Sequence, residues 1–351
     1  MKALYIVGTG GSGKTALCVA LALKYADEGR RVAYFKPIGN VGGSPGRQDE
    51  DAVLMKELLK MEAPVEQIVP FTTSPAYLTR YERPQQCLAT IKECFARVTT
   101  GCEVVIVEGT TSPEMMFSLG LDAATLAKEM GAVTLTVARL EDDFALDRTL
   151  LVNSYLSAVG VPLLGSVFNN IPLPLIGKAE GFWRPITEAR GFKVFGIVPA
   201  RTELIAPAVR EIWDILGGEL LVGEENVDVP VEEVVIGAMT PESALSYFRR
   251  SFHKAVITGG DRADIALAAL ETSTSVLILT GGLYPDVKVL AKAGEKGVPV
   301  LLVPTDTYST IERLHQVVRK LHPGDHQGIA IARESYDRYC DLTAISQALG
   351  L

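Results

Sequence analysis

The chain predicts an α/β protein: a parallel sheet with helices on both faces, followed by a second, smaller α/β domain. Three observations predict it. Apolar runs of strand length recur with amphipathic segments between them. The octapeptide Gly8-Thr9-Gly10-Gly11-Ser12-Gly13-Lys14-Thr15 joins the first such run to the first helical segment. The alternation then stops at an acidic stretch and resumes beyond it.

Leu4 to Val7 is the first strand and Ala16 to Leu23 the body of the first helix, so the octapeptide is a Walker A loop in a strand-loop-helix setting. Its glycines let successive backbone N–H groups turn inward at a helix N-terminus, making a positive concavity for a triphosphate. Lys14 would reach the β- and γ-phosphates and the Thr15 hydroxyl would ligate Mg²⁺. The loop marks a P-loop NTPase sheet and makes the chain a nucleotide binder.

The first helix ends near Gly29, and the second strand, Val32 to Phe35, runs into Lys36. Pro37 fixes the backbone after it. Lys36 then points to the same edge as the loop and, with Lys14, is a candidate for phosphoryl chemistry, either stabilising transferred charge or orienting an anionic acceptor. A long polar and helical insertion follows, opening on Gly39-Asn40-Val41-Gly42-Gly43-Ser44-Pro45-Gly46, which has the composition of a substrate or switch loop. Asp51, after Asp49 and Glu50, is either a Mg²⁺ ligand or part of a solvated helix start. Tyr77, Arg80, Tyr81 and Arg83 line a substrate pocket or one face of an exposed helix.

Val104 to Val107 is the next strand, and Glu108 closes it in the position of a Walker B acid. Strands over Val133 to Val137, Leu163 to Phe168 and Val194 to Val198 complete the first sheet. Asn169 and Asn170 follow one of them and Pro199-Ala200-Arg201 the last, where an adenine ring would rest. An amide matches the donor and acceptor of the adenine edge, although asparagine is also an ordinary turn residue.

Gly217-Gly218 and the acidic segment Glu224 to Glu233 mark a domain boundary. Strands near Val234 to Gly237, Ala255 to Thr258, Val276 to Thr280 and Val300 to Val303 build the second domain. It contains an internal echo: Thr258-Gly259-Gly260 precedes Asp264 as Thr280-Gly281-Gly282 precedes Asp286. Gly259, Gly260, Asp261, Arg262 and Asp264 form a second ligand site, or else Asp264 and Asp286 cap helices after tight turns. The tail contains Tyr336, Tyr339, Leu342, Ile345 and Leu349 at near-helical spacing and reads as a helix packed on the second domain or on another subunit.

Composition bounds the partners. With 48% hydrophobic and 22% charged residues in 351, the chain can bury large cores. A net charge of −8 argues against a nucleic-acid partner. No apolar stretch approaches the roughly 20 residues that span a membrane. Five scattered cysteines without CxxC pairs suit reduced thiols, and a cytoplasmic homo-oligomer is expected. His322-Pro323-Gly324-Asp325-His326 cannot align its imidazoles on a helix, so no metal site is expected there, and His253 and His315 have no partner pattern.

Residues 1 to about 212 resemble the dethiobiotin-synthetase-like P-loop domain, also found at the N-terminus of long phosphotransacetylases. The likeness rests on the Walker A loop, Phe35-Lys36-Pro37, Asp51-Ala52, Val107-Glu108-Gly109, Asn169 and Gly196-Ile197-Val198-Pro199. Residues 213 to 321 resemble a DRTGG domain, on Thr258 to Asp264, Leu277 to Gly282 and Asp306-Thr307-Tyr308-Ser309-Thr310, leaving 322–351 as a helical tail. The resemblance implies a Mg·ATP site with Lys14, Thr15, Asp51 and Glu108 around phosphates and metal. It places Lys36 at the γ-phosphate and Asn169 near the base. Thr110-Thr111-Ser112-Pro113 replaces the synthetase's glycine-rich substrate segment, Thr9 stands where related partitioning ATPases often carry a signature lysine, and no acetyltransferase domain is expected after Leu351. The expected functions are a regulatory or sensor ATPase linked to acyl-phosphate or CoA metabolism, a ligase phosphorylating a carboxylate or carbamate, or a module in which ATP is structural.

Overall fold

The computed structural model describes residues 1–40, 48–73, 77–80, 83–314, 317 and 319–351. Most of the glycine-rich stretch after Asn40, with Tyr81 and His315, lies outside them. Two compact units form: Met1–Leu204 with Leu321–Leu351, and Ile205–Lys320.

The first unit holds β1 (Lys2–Gly8), β2 (Val32–Phe35), β3 (Ile38–Asn40), β4 (Phe71–Thr73), β5 (Val104–Glu108), β6 (Val133–Arg139), β7 (Leu163–Ile171) and β8 (Val194–Pro199). Six of these make one parallel sheet in the order β2-β5-β1-β6-β7-β8. Its central strands are continuous apolar runs because helices cover both faces, and β5 is buried throughout. Since β1 lies between β5 and β6, the chain leaves the sheet in opposite directions on its two sides, and the crevice where α/β sheets take ligands opens at the end of β1. The parallel pair β3 and β4, within the insertion, is too short to show as periodicity.

Helix α1 (Lys14–Asp27) starts directly from the loop, and its buried face includes Leu17, Cys18 and Leu21. The tail forms two helices, His326–Tyr339 and Leu342–Leu349, separated at Cys340. Cys340 bridges Gly196 on β8, and Asp341 N donates to Phe195 O at 2.7 Å. Tyr336, Leu342, Ile345 and Leu349 join the apolar core of the first unit, so the expectation that the tail packs on the second domain or another subunit is corrected. Helical spacing shows that a face must be buried but does not name its partner.

The second unit holds β9 (Glu219–Val222), β10 (Glu233–Ile236), β11 (Lys254–Gly259), β12 (Thr274–Thr280) and β13 (Val300–Leu302), in the order β10-β11-β12-β13-β9. Only β9 is antiparallel to its neighbour. Along β11 and β12, Val256, Leu277 and Leu279 enter one apolar cluster while Ile257, Val276 and Ile278 enter another, as a sheet covered on both faces requires. The helix Val209–Leu216, which a division after residue 212 would cut, lies wholly in this unit. Among the described residues no helix is long and apolar enough to cross a membrane. All five cysteines are unpaired thiols.

Candidate functional site

Strand register decides which side chains meet. Phe35 lies beside Val107, and Ile6 beside Glu108, so Lys36, Glu108 and the loop after Gly8 leave the sheet at one edge. The loop is held tightly. A Cβ on Gly8 would lie 2.4 Å from Val137 O on β6, and Gly13 has a left-handed φ of 91°. Ser12 N donates to Thr9 O at 3.2 Å. The Ser12 hydroxyl is buried with no hydrogen-bond partner among the described residues, leaving a donor inside the loop. Gly10 faces Thr111 across an ordinary contact distance.

Lys14 Nζ donates to Thr9 O at 2.8 Å. Burial pushes its pKa down, against the partial support of Glu108. The Thr15 hydroxyl lies 2.7 Å from Glu108 Oε1 and 3.3 Å from Asp51 Oδ1, so these three oxygen-bearing side chains converge beside the loop. Among the described residues no group of three or more His, Cys, Asp or Glu side chains could cage a metal. Mg²⁺ needs no such cage, since it usually takes one or two carboxylates with substrate phosphates and water. A hydroxyl and two carboxylates at the end of a phosphate loop fit it.

Two residues complete this cluster without having been read as part of it. Tyr34, buried on β2, donates through its hydroxyl to Glu108 Oε2 at 2.8 Å and fixes the carboxylate. Asp49 caps helix α2 (Glu50–Leu59), accepting from Ala52 N at 3.1 Å, and its other oxygen lies 2.9 Å from Lys36 Nζ. Lys36 also pairs with Asp51. Burial opposes the Lys36 ammonium, but the Asp51, Asp49 and Glu108 carboxylates together outweigh it and raise its pKa. The run of three acids therefore opens a helix with an inward-facing cap instead of a solvated turn. An Asp three residues before Ala52 was the available signal for that cap. Tyr34 carries no such signal, since an apolar strand run hides a functional hydroxyl.

Asn169 Nδ2 donates to Ser12 O at 2.8 Å and Asn170 Nδ2 to Gly11 O at 3.3 Å, so both amides grip the loop backbone. Pro199 pairs with Ile171 at the end of β8, on the same sheet edge.

Burial is the main reason that Glu108's pKa is raised, with Asp51 adding to it. A carboxyl whose pKa is higher folded than unfolded binds more protons when folded, so its contribution to stability falls as pH rises above the ordinary carboxylate range. Glu108→Gln is therefore expected to raise the melting temperature of the ligand-free protein at neutral pH and to flatten its slope between about pH 5 and 8. Thermal melts across that range check it. A lower melting temperature for the variant at pH 7 would contradict the sign.

Residues 2–208 match the family described as the AAA domain, and this is more than half of the chain. The chain belongs to that family. The remainder of the match is a DRTGG domain over residues 211–317. Together the AAA and DRTGG domains fit the N-terminal region of long phosphotransacetylases. The phosphate acetyltransferase of Nitratidesulfovibrio vulgaris is 26% identical, covering 99% of this chain and 51% of the relative. That of Pseudomonas putida is 24% identical, covering 100% and 52%. The chain spans about half the length of these curated relatives. A structure of the CBS and DRTGG domains of the regulatory region of Clostridium perfringens pyrophosphatase, complexed with its activator diadenosine tetraphosphate, is 27% identical. It covers 35% of this chain and 53% of that one, with a TM-score of 0.29. The AAA-domain chain is a phosphotransacetylase-related nucleotide-binding protein.

In its DRTGG domain, Gly259 and Gly260 stand at the end of β11, and a Cβ on Gly260 would lie 1.8 Å from Leu283 O. Arg262 donates twice to Asp264, at 2.9 Å each, and also to Met239 O at 3.1 Å. Asp264 therefore does not cap the helix Ala263–Leu270, which corrects that alternative. Asp286 does cap, accepting from Lys288 N at 2.8 Å. Asp261 is exposed beside this turn.

Proposed function

We propose that the chain binds Mg·ATP at the Walker A loop and acts as a regulatory or sensor module attached to acyl-phosphate or CoA metabolism. The observation that carries the nucleotide reading is the convergence of Thr15, Glu108 and Asp51 oxygens beside a glycine loop with a buried lysine. Lys14 would leave Thr9 O for the β- and γ-phosphates, and Asn169 with Pro199 would border the base. Lys36 spends its charge on Asp49 and Asp51, which suits a cation that balances the acid cluster better than one that receives a substrate. This favours the sensor over a carboxylate- or carbamate-activating ligase. Hydrolysis without a placed acceptor or arginine finger should be slow, on the order of 10⁻³ s⁻¹ or less. The pathway assignment rests on the phosphate acetyltransferase relatives.

A second ligand is assigned to the carboxyl edge of the DRTGG sheet, at Gly259, Gly260, Asp261, Arg262 and Asp264. Exposed Met239, Leu283 and Tyr284 lie in the loops that follow β10 and β12 there, offering apolar surface beside the charged pair.

Calorimetric titration with Mg·ATP, with and without EDTA, followed by ADP release in the presence of a panel of carboxylic and diamino acids, tests the reading. Metal-dependent binding with slow, acceptor-independent release is expected. Strong stimulation by one acid would establish the ligase instead, and no heat with any purine triphosphate would end the nucleotide reading altogether.

A further inference from the structure

The loop's backbone is gripped from outside at three consecutive carbonyls. Asn170 Nδ2 donates to Gly11 O at 3.3 Å, Asn169 Nδ2 to Ser12 O at 2.8 Å, and the Tyr336 hydroxyl to Gly13 O at 3.1 Å. Two of the donors stand on β7. The third comes from the His326–Tyr339 helix, which the chain reaches only after residues 205–320.

Each donor is specially placed. Asn170 has a left-handed φ of 54°, a conformation that asparagine tolerates better than most residues. Tyr336 is 1% exposed, and burial keeps its hydroxyl protonated and able to donate. A Cβ at Gly13 would lie 2.0 Å from Asn169 Nδ2 and 3.2 Å from the Tyr336 oxygen, so the loop and its grips are built against each other with no room for a side chain. A peptide whose carbonyl is drawn outward turns the next residue's N–H the other way, because the peptide unit is planar and trans. Gly13 O also accepts from Leu17 N at 3.0 Å in the first turn of α1, so Tyr336 adds a second donor to a carbonyl that the helix aligns. Holding the carbonyls of Gly11, Ser12 and Gly13 away from the loop's concavity presets the N–H groups of Ser12, Gly13 and Lys14 as an anion cradle, without reorganisation on binding.

We propose that Tyr336 is a positioning residue of the phosphate loop, so that the docked C-terminal helix completes the nucleotide site. This rests on the nucleotide reading above. The helix is anchored independently of that hydroxyl. Arg333 pairs with Asp27 at the far end of α1, and Ser346 in the following helix contacts the Tyr25 hydroxyl at 3.4 Å. Docking and loop positioning can therefore be separated by mutation.

Tyr336→Phe keeps the ring in the core and removes only the donor, whereas Ser346→Ala loosens the same segment without touching the loop. Mg·ATP affinity is measured by calorimetry for both and for the unmodified chain, with hydrogen exchange at the backbone amides of residues 11–15. Tyr336→Phe is expected to weaken binding about three- to tenfold, the range of one lost hydrogen bond, and to speed exchange in the loop. Ser346→Ala should do neither. Asn170→Gly, which removes the neighbouring grip where glycine adopts the backbone easily, should weaken binding similarly. Affinity in Tyr336→Phe within twofold of the unmodified chain, or equal weakening in Ser346→Ala, overturns the proposal while leaving the nucleotide site intact. An unmodified chain with no affinity for Mg·ATP overturns both.

Discussion

Replacing Lys14 by alanine is expected to lower Mg·ATP affinity by about 100-fold or more, equivalent to roughly 2.8 kcal/mol, while the ligand-free protein stays folded. Lys14 is 8% exposed, and its ammonium makes its direct hydrogen bond to a carbonyl of the loop itself, Thr9 O, instead of to a carboxylate. Burial, with the nearby Lys36 ammonium, lowers its pKa more than Glu108 and Asp51 raise it, so in the ligand-free protein its charge is under-compensated. Such a charge contributes little to the fold and much to an anionic ligand, because a low-dielectric site strengthens its attraction for phosphate. Hydrogen bonds from charged donors are also worth about 1.5–3 kcal/mol, more than neutral ones. Calorimetry and a thermal melt on the same preparation separate the two effects. Unchanged affinity would mean that the phosphates are bound elsewhere, and a collapsed fold would mean that Lys14 is structural.

The contrast between Lys14 and Lys36 was only half visible in the sequence. Both lysines follow apolar strands at one sheet edge, and that much was legible because parallel strands written as apolar runs locate their own carboxyl ends. The six strands of the first sheet follow the same logic, as do Glu108 after β5 and the four parallel strands of the second sheet. What could not be read depended on contacts distant in the chain. Tyr336 reaches Gly13 across more than three hundred residues, and Tyr34 reaches Glu108 from a strand that looks purely hydrophobic. β9 was hidden for a local reason. Glu219–Val222 is short and half-buried, and it follows Gly217 and Gly218, both at positive φ, which read in the sequence as a domain boundary. A Cβ on Gly218 would lie 2.2 Å from Leu302 O, so this glycine serves the pairing of β9 with β13.

Lys36→Met is expected to be the most destabilising single change at the site, costing roughly 3–5 kcal/mol, the range for removing one partner of a buried ion pair. The side chains of Lys36 and Asp49 are 2% and 4% exposed, and Lys36 pairs with both Asp49 and Asp51. In a folding unit the size of the first, Met1–Leu204 with Leu321–Leu351, each kcal/mol moves the melting temperature by about 2–4 °C, so a drop near 10 °C follows. Without the ammonium, Asp49, Asp51 and Glu108 lose the buried cation that their carboxylates share. Their pKa values must rise, and the folded state then takes up protons that the unfolded chain does not. The variant should therefore regain stability as pH falls from about 7 to 5, where the loss of ion pairs ordinarily weakens a protein. Asp49→Asn added to Lys36→Met should recover part of the loss. The amide can still accept from Ala52 N and keep the cap of α2, while one of the three charges is removed. Thermal melts of the single and double variants between pH 5 and 7 measure these shifts. A Lys36→Met protein that melts with the unmodified chain but no longer turns over nucleotide would return Lys36 to the role of a cation for phosphate or acceptor. It would also show that the Asp49 and Asp51 contacts are readily given up, since a cation that leaves its carboxylates at no cost was never balancing them.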